Sequence, residues 1–387
     1  MDLACAAALT NEADPDRALD EATASISAQL DGRSVDLLVC FLTHHHAGAL
    51  ERIPERLVAA TGARTLLGCT GESVLGDDRE LEQGPALSLF AAHLPKTEVT
   101  AFRAAFDGEL PPPPDIADDG RDTSMLLLAD PFSFPAQEYL DVLGERYPGL
   151  PVVGGMASGG MGPGQNIVFD ANGVTDGGAI GALVRGAAEL RPAVSQGCRP
   201  VGKPWVVTGI EDGHVLTLGG RPALEVLMET MATMESDERE AFQRGPFVGV
   251  AVDANKSEFD RDDFLARGLL GADPTSRAIA VGDNLRKGQT IQFLLRDAES
   301  AGEDIERVLT RASGQGCAGA LMFTCNGRGE RMFGSPHHDV SHVQRALGPN
   351  LPLGGFFAMG EIGQVGPRAF LHGFTASLGL FVPRGRS

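Results

Sequence analysis

The chain has 387 residues, with 52 acidic and 32 basic side chains and a formal net charge of −20. No Lys/Arg cluster offers the basic face that nucleic acid or an anionic lipid surface requires, and no apolar run approaches the ~20 residues of a bilayer span. Hydrophobic residues make up 43% of the chain, enough for a sizeable core, and the 50 glycines lie mostly just after apolar runs, where tight turns belong.

The first 34 residues read as a lead-in containing one helix, capped by Asp14 or Asp16, with Ala18, Leu19, Ala22, Ile26 and Leu30 on one face. Val35–Thr43 is a continuous apolar run of strand length, ending in His44, His45 and His46. A helix over 49–60 and a strand over 65–68 follow. Cys69, Gly71 and Glu72 lie in the next loop, and 86–92 is a further strand. Pro111–Pro114 reads as an extended connector. The pattern then returns with a strand over 124–129, a helix over 136–147, a strand over 151–155, a glycine-rich loop and a strand over 179–184. Strands at 247–252, 278–281 and 290–295 come next, with Asp253, Asn255 and Lys256 after the first of them. A helix over 299–312 precedes the last unit. That unit is a strand over 320–324, a helix over 339–347, a strand over 353–357 and a closing apolar strand within 369–381.

Strand, polar loop, helix, strand ending in glycine is the recurring order, which sets parallel strands side by side through a crossover helix. The fold class is therefore α/β, with mixed sheets flanked by helices. TLLGCTGESVLG (65–76) against LPLGGFFAMGEIGQVG (351–366) suggests a duplication. It predicts two similar halves joined near Arg191–Pro204. Loops at the carboxyl ends of parallel strands converge on one edge, where such folds place ligands.

Those loops carry the candidate site. Glu72 and Glu361, each after a glycine, are placed to grip a cation or act as a base; the alternative is a carboxylate capping loop N–H groups. Asn326 and Arg328 follow Cys325 and Gly327, and Arg328 offers a planar fork for a ligand carboxylate. Ser158 is the hydroxyl of the glycine-rich loop Gly154–Gly164, which lacks the Gly-Lys-Ser/Thr ending of a nucleotide loop. Cys69, Glu72, Ser158, Asn326, Arg328 and Glu361 are the ligand-binding candidates. Cys325 with His337 or His338 is the alternative, a cysteine-dependent hydrolase or transferase. His338 and His342 have helical i, i+4 spacing but no third ligand by spacing, so no metal is expected. No cofactor is expected either. The six cysteines show no CxxC and read as free thiols. The amino terminus lacks a basic n-region, so no signal peptide is read and the cytoplasm is the default location.

LLGCTGESV (66–74), VVGGMASGG (152–160), GRPALEVL (220–227), VGDNLRKGQTIQFLLRDAE (281–299), GALMFTCNGRG (319–329), LGGFFAMGEIG (353–363) and HGFTASL (372–378) together resemble the FIST family. The resemblance covers the chain from about Val35 onward. It implies a FIST N-terminal domain, placed at 35–217, and a FIST C-terminal domain at 218–387. It also implies a sensory protein in signal transduction that binds a small polar metabolite, with amino acids the usual suggestion, and that either stands alone or acts with a separate output protein.

Overall fold

The computed structural model describes residues 2–175, 177–253, 256, 258–314 and 316–385, so Asn255 lies outside the described residues. The chain forms two compact units. One comprises residues 1–195 and 305–387, the other residues 196–304.

The larger unit holds three six-stranded mixed sheets built on one plan. Each centres on a parallel pair: Leu37–Thr43 with Thr65–Gly71, Thr123–Ala129 with Val152–Met156, and Gly319–Cys325 with Leu353–Ala358. On one flank of each pair lie two antiparallel strands. On the other lies a hairpin, and that hairpin comes from a different repeat. Val74–Gly76 and Arg79–Leu81 complete the third sheet, Val168–Asp170 and Gly173–Thr175 the first, and Gly360–Val365 and Arg368–His372 the second. Each repeat thus donates its hairpin to another in a cycle. The repetition legible in the sequence as two halves runs three times in this unit. The third copy is harder to see because residues 196–304 interrupt it.

Glycine in the second strand of each pair has a steric cause. Gly68 stands opposite Cys40, Gly154 opposite Leu127 and Gly355 opposite Met322. A Cβ on Gly154 would lie 1.8 Å from the Leu127 carbonyl oxygen, and one on Gly355 would lie 2.0 Å from that of Met322.

The inner faces of the three sheets share one core. Phe41 stacks on Phe356 at 4.8 Å and meets Phe323 edge-on at 6.1 Å, with Leu126, Leu128 and Val153 from the second sheet in the same cluster. Burying each such side chain contributes roughly 1.5–3 kcal/mol. Helices cover the outer faces: Pro15–Leu30 and Ile53–Thr61 on the first sheet, Ala136–Arg146 on the second, residues 305–312 of the helix Ala298–Ala312 and His338–Leu347 on the third. Asp14 caps the first helix, its side chain accepting the Asp16 and Arg17 N–H groups at 3.0 Å. Ala4–Thr10, read as lead-in, is instead an edge strand paired with Leu87–His93. Its alanine-rich run carries little strand signal.

The smaller unit contains a seven-stranded antiparallel sheet, ordered from Arg199–Glu211 through Thr290–Leu295, Phe247–Ala251, Phe264–Asp273, Ala278–Val281 and His214–Leu218 to Arg221–Pro222. Arg199–Glu211 also pairs with His214–Leu218, which closes the ladder around a core including Val207, Val215 and Ile279.

Candidate ligand site at the strand ends

The three parallel pairs end together. Ser158 N–H donates to the Thr70 carbonyl at 3.1 Å, and Met359 N–H to the Met156 carbonyl at 3.2 Å. By the pseudo-threefold pattern a third bond should run from Glu72 N–H to the Phe357 carbonyl. Ser158 Oγ completes that link as a bridge. It accepts the Glu72 N–H at 2.8 Å and donates to Phe357 O. The Ser158 hydroxyl is thus committed to joining the sheets.

The ladders also align the copies. Val74 stands opposite Phe356, Val168 opposite Cys69 and Glu361 opposite Gly155; each partner follows the close-packed glycine by one residue. Two of the three equivalent positions therefore carry a fully buried valine, and the third carries Glu361, also 0% exposed. Glu72 is not its structural counterpart. That position in the third repeat is Met359, and the Glu72 side chain is exposed. The Gly-Glu match between the two motifs is offset by two residues in space.

Glu361 Oε2 accepts the Thr375 N–H at 2.9 Å and the Thr375 hydroxyl at 2.8 Å. In the other copies the equivalent N–H groups, of Ala86 and Gly178, are satisfied by the hydroxyls of Thr43 and Ser133. The fold needs only a hydroxyl there, so a buried carboxyl exceeds the structural requirement. Burial pushes the Glu361 carboxyl up to about 8, against the lowering effect of the Thr375 bonds, the Arg328 charge and the adjacent Cys325 thiol. Its Oε1 makes no N–H or O–H hydrogen bond.

Arg328 is 1% exposed. Its Nε and Nη2 bind Asp339 Oδ2 and Oδ1 at 2.6 and 2.7 Å, and the guanidinium lies 5.2 Å from the Phe333 ring. Asp339 also accepts the Thr324 hydroxyl at 3.0 Å. Burial raises the Asp339 carboxyl, but the Arg328 charge and hydrogen bonds outweigh it and hold it well below the usual carboxylate range. Among the described residues, Arg328 Nη1 has no hydrogen-bond partner, nor does the buried Oδ1 of Asn326. Glu80, delivered by the exchanged hairpin, accepts the Val340 N–H at 3.0 Å; burial and the nearby Asp339 push it up to about 8. Its Oε2 is also unpartnered among the described residues. Natural proteins leave few buried polar atoms without partners, and several gathered in one place call for an explanation, a water or ligand among them.

The remaining candidates are placed elsewhere or occupied. Cys69 lies in the shared core, where burial raises its thiol well above normal. Cys325 Sγ accepts the Gly327 N–H at 3.4 Å, the same turn contact that Asp130 makes to Phe132 N–H in the second copy. His337 Nδ1 accepts the Glu80 N–H at 3.0 Å. The His338 ring stacks on Phe333 at 3.5 Å, and its Nδ1 meets Asp339 at 3.0 Å. Glu361 and the Arg328 guanidinium both lie within electrostatic reach of the Cys325 thiol, while these two imidazoles serve the helix start and Asp339. Among the described residues no group of three or more His, Cys, Asp or Glu is arranged to hold a metal ion. No described helix is long and apolar enough to cross a membrane.

Asp339, Glu80 and Thr375 belong to the site and were missed from the sequence. Thr375 lies within the HGFTASL motif. Glu80 carries no local signal, since the hairpin exchange brings it there.

Residues 36–221 match the FIST N domain and residues 223–364 the FIST C domain. An uncharacterized protein of Mycobacterium tuberculosis is 39% identical over 371 residues, covering 95% of this chain and 96% of the relative. An uncharacterized protein of Mycobacterium bovis is 37% identical over 375 residues, with the same shares covered. The chain is therefore a member of the FIST family of small-ligand sensory modules, with both of the family's domains in the expected order.

Proposed function

We propose that this protein senses a small polar metabolite bearing a primary ammonium group, an amino acid being the simplest case, and relays its binding to a separate signalling partner. Glu361 receives the ammonium. Arg328 Nη1 and Asn326 receive the ligand's carboxylate end. The observation that supports this reading is Glu361 itself, a buried carboxyl with one oxygen lacking an N–H or O–H partner among the described residues, at a position that two equivalent repeats fill with valine. An isolated buried carboxylate is costly, and an incoming cation offsets that cost. Glu72, Cys69 and Ser158 contribute to the surrounding frame in this reading, and Cys325 shapes the turn that presents Asn326 and Arg328. Thermal-shift screening of amino acids and simple amines tests it. At least one ammonium-bearing compound should raise the wild-type melting temperature and leave folded Glu361→Gln unmoved. Equal shifts in both proteins, or none across the panel, would overturn the reading.

A further inference from the structure

A groove of 580 Å³ opens at the opposite end of the parallel strands, and its lining includes Asp36, Arg64, His93, Lys96, Asp122 and Arg185. The volume lies within the range of small-ligand sites. Asp36 is its organising group. The side chain is only 6% exposed, yet it engages three neighbours. Oδ1 accepts from Arg64 Nη1 at 2.7 Å, and Oδ2 accepts the Leu94 N–H at 2.7 Å. Oδ2 also lies 3.5 Å from His93 Nδ1. That nitrogen is 3.0 Å from the Ser34 carbonyl oxygen and 3.2 Å from the Ser34 hydroxyl; with Nδ1 protonated it donates to the carbonyl, which can only accept. The ring orientation is thereby set, and Nε2 is its open end. The buried Asp36 carboxylate holds the exposed Arg64 guanidinium by one hydrogen bond and lies beside the His93 ring, in the way that outer-shell carboxylates orient ligand-binding histidines.

Lys96 lies beside them in the turn between Leu87–His93 and Thr97–Ala104. Its backbone sits at φ +60°, its side chain is exposed, and it makes no ion pair among the described residues. The close approach of Gly186 holds this turn, since a Cβ there would lie 2.6 Å from the Lys96 carbonyl oxygen. Glu98, Asp122 and Arg185 complete the charged lining, and Arg185 has a partner of its own. In a chain of net charge −20, Arg64, Lys96 and Arg185 balance Asp36, Glu98 and Asp122 in the lining, and the Asp36 carboxylate is turned away to Arg64 and the Leu94 N–H.

We propose that this groove is a second ligand site, for a small phosphate-type oxyanion held by Arg64, His93 and Lys96, with Asp36 as the positioning residue. Arg64 presents its remaining N–H groups, Lys96 supplies a point charge, and His93 Nε2 bonds a protonated anion oxygen or, when charged, donates to it. The proposal is independent of the Glu361 site. It is tested by NMR titration of the His93 ring with inorganic phosphate at constant ionic strength, sodium chloride replacing phosphate in the control. Saturable shifts with a dissociation constant on the order of millimolar are expected. Lys96→Gln and Arg64→Gln should each weaken binding by about 5–10-fold, and Glu361→Gln should leave it unchanged. Lys96 is exposed, so its variant keeps the fold intact. Chloride shifts equal to those of phosphate, titration of Lys96→Gln identical to wild type, or a His93 ring that does not respond would each overturn the assignment.

Discussion

Replacing Glu361 by glutamine keeps the shape and an oxygen for Thr375, exchanges the other oxygen for an amide NH2, and removes the ability to ionise. Burial pushes the carboxyl up to about 8 in the folded protein, against ~4.3 in an unfolded chain. Between those two values the folded state holds a proton that the unfolded state has released. Wild-type stability therefore falls as pH rises through this window. At 1.36 kcal/mol per unit, the loss relative to acid conditions is about 3–4 kcal/mol at pH 7 and about 5 kcal/mol above pH 8, as orders of magnitude. The glutamine variant has no such loss. Glu80 titrates in the same direction in both proteins, so the difference between them isolates position 361. Scanning calorimetry of the unliganded proteins at about pH 5, 7 and 8.5 should show near-equal melting temperatures at the acid end. The variant should then lead by several degrees at the alkaline end. Parallel curves for the two proteins would refute the assignment of Glu361 as a carboxyl kept neutral by burial.

Other substitutions separate structural from binding roles. Arg328→Met leaves Asp339 buried without its bidentate partner and should cost about 3–5 kcal/mol by denaturant unfolding; Arg328→Met with Asp339→Leu should recover most of it. Ser158→Ala breaks the bridge between Glu72 and Phe357 and should cost about 1–3 kcal/mol, while ligand-induced stabilisation in the variant stays within error of wild type. Gly355→Ala places a Cβ against the Met322 carbonyl and should cost about 3 kcal/mol or more, read as loss of folded protein in expression and melting assays. Cys325→Ser keeps an acceptor for the Gly327 N–H and should retain ligand binding, as titration calorimetry would report.

The elements with strong apolar patterning were legible: the parallel strands, their crossover helices and the glycines that end the second strands. The exchanged hairpins were not. Strands of three residues such as Val74–Gly76 and Val168–Asp170 have no periodicity to read, and their pairing partners lie far along the chain. That exchange is also why the third copy in the larger unit was not legible and why the Glu72–Glu361 correspondence misread. Sequence alignment matched the two Gly-Glu pairs, whereas the ladders place Glu361 with Val74 and Val168. Asn326, Arg328 and Glu361 were visible as polar residues after apolar runs, and the structure gathers Arg328 and Glu361 within electrostatic reach. What spacing could not convey was that Asp339 already occupies two of the three guanidinium nitrogens.

The most direct measurement is calorimetric titration of the wild type with the best ammonium-bearing compound from the screen, at about pH 7 in buffers of different ionisation enthalpy. A cation seated on Glu361 requires its carboxylate form, so binding should release a proton to the buffer, and affinity should rise as pH climbs toward about 8. Glu361→Gln should bind more weakly and release none. Proton uptake, or the same affinity and proton count in both proteins, would contradict the account.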